Sequence, residues 1–263
     1  MSLAKKYKDF KVKLPTCDIE AYSRYPDYCH LYDRMWVSLS QNMVCAPLGV
    51  QPNKYPIVVK PIINLYGMSK GFDIIKTKQE YDKICSTSAG LFWQPYLKGV
   101  QKNLDMVIHK GKILFYHLLD SFPNKNLHGT FICHVPSNEQ IPCIAVEWVH
   151  EHLSDYTGTV NMEIIGGYIT ECHLRLNGDN HWYNDSFYKS LQNISNFKFK
   201  ETMMDYSFAM IPFFEDSYID DVNYYDYKNT DVTEPCGKFK RYGTAKCKLA
   251  YIAEYLKNNN YST

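Results

Sequence analysis

The chain has 263 residues, 45% of them hydrophobic, and its 29 Lys and Arg nearly cancel its 28 Asp and Glu, leaving a formal net charge of +1. That length accommodates one large domain or two small ones with a real core, and the charge balance supplies no global field to draw nucleic acid or an anionic membrane. No stretch approaches the roughly 18 uninterrupted apolar residues of a membrane span, the start MSLAKKYKDFKVK lacks an apolar signal core, and nine cysteines without a CxxC pair argue against a disulfide framework and a structural zinc.

The expectation is therefore a cytoplasmic protein without membrane contact, for which nucleic acid is a disfavoured partner and whose oligomeric state the sequence leaves open. In chain order, residues 26–41 (PDYCHLYDRMWVSLSQ) predict one helix, with Tyr28, Leu31, Met35, Trp36 and Leu39 on a packing stripe. Pro56 leads into a strand over Ile57–Lys60, which Pro61 ends or displaces to an edge. Asn64 to Gly71 (NLYGMSKG) reads as a flexible turn and Phe72–Ile75 as the returning strand. Thr77 and Glu80 have the spacing of a capping box, so a helix is expected over about Lys78–Cys85. Leu91–Leu97 predicts another strand, Leu104–His109 and Lys112–Leu119 a hairpin about Lys110-Gly111, and Gly129–Val135 a further strand.

Pro142–Leu153 predicts a helix on which His150 and His152, two apart, do not share a face as zinc ligands would. Towards the C-terminus, helices are expected near Ser186–Ile194 and over Thr244–Lys257, with an acidic, tyrosine-rich surface loop over Glu215–Tyr227. Strands paired with neighbours in sequence, interrupted by single helices, define an α+β fold with antiparallel sheets.

The segment VNMEIIGGYITECHLR carries the densest chemistry. Strand side chains alternate faces, so Glu171, His173 and Arg175 project from one side and Cys172 and Leu174 from the other, while Asn161 and Glu163 oppose Met162 and Ile164. A three-residue loop, Gly166 to Tyr168, is the expected register because it sets Glu163 opposite Glu171; a two-residue Gly166-Gly167 loop would turn Glu163 away. Two carboxylates, a histidine and an arginine on one pleated face suit a divalent cation with phosphate oxygens better than a core. A solvated sheet edge with ordinary surface charges is the plainer alternative.

Lys60 ends its strand shortly before a loop bounded by Gly67 and Gly71, with Ser69 and Lys70 between them. Such loops offer backbone N–H groups and cations to phosphates, although this one matches neither the P-loop nor the dinucleotide spacing. Taken together, KPIINLYGMSKGF, QPYLKGVQKNLD with the hairpin VIHKGKILF, and VNMEIIGGYITECHLR resemble, in that order, the ATP-grasp superfamily of ATP-dependent carboxylate ligases over about residues 30 to 180.

That resemblance implies two α+β subdomains with antiparallel sheets: residues 1–55 as a reduced N-terminal segment with the packing helix, 56–97 as the small subdomain with the glycine loop, and 98–263 as the large subdomain with the metal-site hairpin and a C-terminal helical extension. It implies that Lys60 contacts ATP phosphates and that Gly67 to Gly71 close over them, with Ser69 and Lys70 as contacts. It places Gln94, Tyr96 and Leu97 at the adenine hinge and gives Asp105 an acidic site position, for which a structural hydrogen bond is an equal reading. Glu163 and Glu171 then resemble magnesium ligands, and Arg175 the arginine that stabilises transferred phosphate. The pattern departs where Gln94 or Pro95 replaces a hinge glutamate, and where His173 replaces an asparagine ligand, which shifts the expected metal from Mg²⁺ towards Mn²⁺ or leaves His173 holding water.

Fewer than 60 residues precede Lys60, so the acceptor side is not inherited from the resemblance. The implied activity is an ATP- and Mg²⁺-dependent ligase joining a small carboxylate to an amine or other nucleophile through an acylphosphate. A small-molecule kinase phosphorylating an alcohol, and a non-catalytic nucleotide-binding or structural protein, possible in a virus, are the competing expectations.

Overall fold

The computed structural model describes residues 13–66, 71–84, 89–125, 130–178, 181–214, 225–229 and 241–261, with Tyr7 and Phe10 ahead of them. Gly67, Ser69 and Lys70 lie outside the described residues, as does most of the expected loop Glu215–Tyr227. The chain starts with α1 (Asp18–Arg24), a 3₁₀ segment (Pro26–Tyr32) and α2 (Arg34–Leu39). The single helix expected over 26–41 is thus broken at Asp33. This residue is extended, and its carboxylate accepts the Trp36 N–H at 2.8 Å, which starts a new helix there.

A small antiparallel sheet follows, built from β1 (Ala46–Pro47), β2 (Ile57–Pro61), β3 (Asp73–Ile75) and β4 (Leu91–Pro95) in the order β1-β4-β2-β3. The expected cap is present with one shift: Glu80 N–H donates to Thr77 Oγ1, Glu80 Oε2 accepts from the N–H of Lys76, one residue ahead of the cap, and α3 (Lys78–Ile84) follows. Ile57, Val59, Ile75, Tyr81 and Trp93 form the core of this layer.

The large antiparallel sheet comprises β5 (Gln101–His109), β6 (Lys112–Pro123), β7 (Phe131–Pro136), β8 (Gly158–Ile165), β9 (Tyr168–His173), β10 (Phe208–Phe214), β11 (Tyr225–Asn229) and β12 (Arg241–Lys248), in the order β11-β12-β10-β7-β6-β5-β8-β9. Leu104, Met106, Ile108, Met162, Ile164 and Cys172 form one core with Trp148 and Val149 of α4 (Cys143–His152) and with Leu31 and Val37 of the N-terminal segment. A second core joins Phe115 and Leu119 of β6 to Phe187 and Tyr188 of α5 (Asp185–Ser190). The helix expected over Thr244–Lys257 begins only at α6 (Leu249–Asn258). Before it, Ala245 and Cys247 are fully buried on alternate positions of β12, and pairing with β10 overrides local helix preference.

The β8–β9 hairpin corrects the expected turn. Ile165 pairs with Tyr168, so the loop has two residues, Gly166 and Gly167, with φ of +57° and +83° that suit glycine at both positions. Glu163 nevertheless faces Glu171, because Ile164 pairs with Ile169 and Thr170 is an extra residue bulged out of the ladder. The expected opposition of the two acids is present, produced by a bulge instead of a longer loop.

Candidate functional site

The N-terminal segment seals the β9 edge and brings its own charges with it. Gln41 imitates a neighbouring strand: its Nε2 donates to Ile169 O at 2.8 Å and its Oε1 accepts Ile169 N–H at 2.7 Å. Tyr32 Oη accepts the Leu174 N–H at 3.0 Å. Between these contacts, Lys60 of β2 reaches across from the small sheet, and its Nζ donates to the carbonyl of the bulged Thr170 at 3.0 Å. The bulge therefore both aligns the acids and presents an acceptor to the lysine.

Around that contact lies a buried cluster of charges. Arg34, at the first turn of α2, forms an ion pair with Glu171 Oε2. His173 places Nδ1 3.0 Å from Asp18 Oδ1 and Nε2 3.4 Å from Glu171 Oε2. Arg175 Nη2 donates to Asp18 Oδ2 at 2.7 Å. For Glu171, burial alone would raise the pKa, but Arg34, the bond to His173 and Lys60 outweigh it and hold the carboxyl well below the usual range. Glu163 is pushed the other way, by burial and by repulsion from Glu171. Burial brings the Lys60 ammonium down to about 8 against the pull of Glu171 and Glu163. Burial would also lower His173, but attraction and a hydrogen bond to Asp18, with the bond to Glu171, overcome it and raise the imidazole to about 9.

Two glutamates and His173 place ligand atoms within 4.8 Å of one another. The carboxylates fit a small hard cation such as Mg²⁺ or Mn²⁺. The Glu163 carboxylate makes no hydrogen bond or ion pair among the described residues, and Glu171 leaves Oε1 open. Each ring nitrogen of His173 faces a carboxylate, an arrangement suited to an imidazolium that bridges acids; the Asp18 contact on Nδ1 is also the one that would leave a neutral ring's Nε2 to join the two carboxylates as a third ligand.

The other expected site residues fall in four groups. Arg175 is at the cluster, but its guanidinium is held by Asp18 and by the Leu176 carbonyl, so its donors are turned towards the protein and not displayed to a phosphate. Asp105 is buried, and its carboxylate accepts from Asn161 Nδ2, Asn177 N–H and Tyr183 Oη; this supports the structural reading over a nucleotide contact, and burial raises its pKa to about 6. At the hinge, Gln94 is buried with Oε1 accepting from Ser38 Oγ, Tyr96 N–H donates to Pro56 O, and the Leu97 main chain has no hydrogen-bond partner among the described residues. Gly71 sits at φ +75°, where a Cβ would come 2.8 Å from Pro61 Cγ, so this position lies tightly against the end of β2.

Comparison with solved structures shows what the two sheets are. The L-amino acid ligase of Bacillus licheniformis superposes with a TM-score of 0.58 at 12% identity, over 98% of this chain and 75% of that one. The N5-carboxyaminoimidazole ribonucleotide synthetase of Thermus thermophilus gives 0.60 at 14% identity, over 86% and 71%. The fold is that of the ATP-grasp superfamily. A further ATP-grasp structure, the N5-carboxyaminoimidazole synthase of Aspergillus clavatus in complex with ADP and 5-aminoimidazole ribonucleotide, gives 0.62 at 9% identity, over 88% and 72%. No protein-family model and no curated protein sequence matches the chain. Among the described residues no helix is long and apolar enough to cross a membrane.

Two residues of the cluster, Arg34 and Asp18, carried no sequence signal. Arg34 lay inside an expected packing helix, and Asp18 in a stretch with no assigned element. The usable hint was Asp33 three residues before Trp36, a capping spacing that places Arg34 at the first turn of a new helix.

Proposed function

We propose that this ATP-grasp chain is an ATP-dependent ligase that activates a small carboxylate as an acylphosphate for attack by an amine or other nucleophile. The observation that carries the reading is Lys60: it crosses from the small sheet to the hairpin and feels the charges of both Glu163 and Glu171, with Arg34 paired to Glu171. Cations from two elements and a pair of acids converge on one place, as a triphosphate and its metal require.

In this reading Lys60 and Arg34 hold the phosphate oxygens, and the Leu97 main chain meets the base. Glu163 and Glu171 would hold a divalent cation, which when bound neutralises the phosphates and polarises the transferred group. A carboxylate oxygen of the first substrate attacks the γ-phosphorus, and the bond to the β-phosphate oxygen breaks with its electron pair leaving on ADP. The amine nitrogen then attacks the acyl carbon, phosphate departs with the C–O pair, and the amine proton passes to that phosphate. Catalysis by this chain is positioning and charge, with no side-chain nucleophile. Arg34 takes the charge-stabilising part that the resemblance gave to Arg175, which instead anchors Asp18.

The test is ADP and phosphate release with ATP, Mg²⁺ and a panel of small carboxylates paired with amines. The reading expects release that needs both partners and is lost in Lys60→Ala. Release with an alcohol and no carboxylate would make the protein a kinase, and no turnover with any pair would contradict the ligase assignment.

A further inference from the structure

The acidic pair belongs to a longer polar surface. Cross-strand partners share a face, as do residues two apart on a strand. Asn103 is the partner of Glu163, Gln101 lies two residues before Asn103, Gln101 pairs with Ser121, and Ser121 pairs with His134. All four therefore lie on the face of Glu163 and Glu171. They are at most 8% exposed, and Ser121 is fully buried.

Three of them are joined: Asn103 Nδ2 donates to Ser121 Oγ at 2.6 Å, and Ser121 Oγ lies 2.7 Å from His134 Nδ1. Gln101 is different, since its buried Nε2 has no hydrogen-bond partner among the described residues. Leaving such a donor without an acceptor is destabilising. No carboxylate, lysine or arginine belongs to this group of four. The adjacent Lys102 and Asp120 alternate to the opposite face, where they pair with each other. A charged substrate group placed against Gln101, Asn103 and Ser121 would be desolvated without a counter-ion. A neutral oxygen would satisfy the Gln101 amide.

We propose that Gln101, Asn103, Ser121 and His134 form the subsite for the second substrate and read an uncharged carbonyl or hydroxyl group on it, with Gln101 Nε2 as the donor. The proposal rests on the nucleotide reading of the neighbouring cluster. Strands about 4.8 Å apart set Gln101 and Asn103 one strand spacing from Glu163, Ser121 two and His134 three, a span suited to a small molecule reaching back towards a transferred phosphoryl group.

The experiment is ligand-observed NMR on the full chain with ATP and Mg²⁺ present, using glycinamide, serinamide, ethanolamine and glycerol as neutral-oxygen probes and glutamate and aspartate as acidic ones. Gln101→Met keeps the side-chain length and removes the donor. The expected result is contact with one or more neutral-oxygen probes in the parent protein, affinity weakened about tenfold in Gln101→Met, and ATP affinity unchanged within about twofold. Equal probe affinity in parent and variant, binding of the acidic probes alone, or ATP binding without contact from any neutral-oxygen probe would each overturn the proposal. Failure of the parent to bind ATP would instead overturn the underlying nucleotide reading, so the two are distinguishable.

Discussion

Arg34 and Glu171 are mostly buried, and their pairing crosses 137 residues of sequence. Deleting one partner of such a pair leaves the other charge without its counter-ion, a loss on the order of 3 kcal/mol. Arg34→Ala is expected to lower urea-unfolding stability by about that amount, whereas Arg34→Ala combined with Glu171→Gln should recover part of it, because the stranded charge is gone. Equal stability of the single variant and the parent would remove Arg34 from the cluster. The contrast with Lys60 and the glutamates shows what a sequence makes legible at this scale. Glu163 and Glu171 stood out because strand alternation fixes their faces locally, and Lys60 because it ends a strand shortly before a glycine-bounded loop. Arg34 and Asp18 gain their meaning from partners far away in the chain, and no local period encodes that.

At the level of elements, two small irregularities aim the site. The Asp33 cap starts α2 and sets Arg34 at its first turn, where the Arg34 N–H also donates to Ile62 O at 2.8 Å. Asp33→Ala removes the cap and should lower stability by about 1 kcal/mol, with weaker ATP binding as Arg34 loses its position; thermal unfolding and a nucleotide titration read the two effects. An unchanged titration would show that α2 does not orient the site. The second irregularity is the Thr170 bulge. Glycine turn chemistry was readable as far as a hairpin, but two-residue and three-residue loops predict opposite faces for Glu163, and the actual solution uses the short loop with a bulge beyond it. Bulges are set by cross-strand packing and by contacts such as Lys60 to Thr170 O, which local sequence does not record. The C-terminal strand was missed for a related reason: β12 owes its form to pairing between β10 and β11.

Across the whole molecule, the N-terminal segment is fastened to the hairpin by charge as well as by packing, and this has a pH signature. Against the lowering effect of burial, Asp18 and Glu171 raise the folded-state pKa of His173 above the ordinary value of 6.5, to about 9. Its stabilising contribution is fully present below pH 6.5 and is lost as pH rises through about 9. Lys60, lowered to about 8, works in the opposite sense above that pH, so the loss is clearest between about 6.5 and 8. Stability measured by urea unfolding should fall across this window in the parent and be flatter in Asp18→Asn, which removes a principal attraction holding the His173 proton. A parent profile that rises there would contradict the bridged imidazolium.

The α+β class and most strands between Ile57 and His173 were legible from hydrophobic alternation and turn residues, and the pairing of a small and a large sheet came with the family resemblance. The central claim is that Lys60, Arg34, Glu163 and Glu171 together clasp a triphosphate and its cation. Calorimetric titration with ATP, in Mg²⁺ and then in excess chelator, tests it most directly when run on the parent and on Glu163→Gln, the acid that has no hydrogen bond or ion pair among the described residues. The account predicts binding in Mg²⁺ that weakens sharply in chelator, and a variant whose weaker binding no longer responds to Mg²⁺. ATP binding equally strong with and without metal in both proteins, or no binding by the parent, would contradict it.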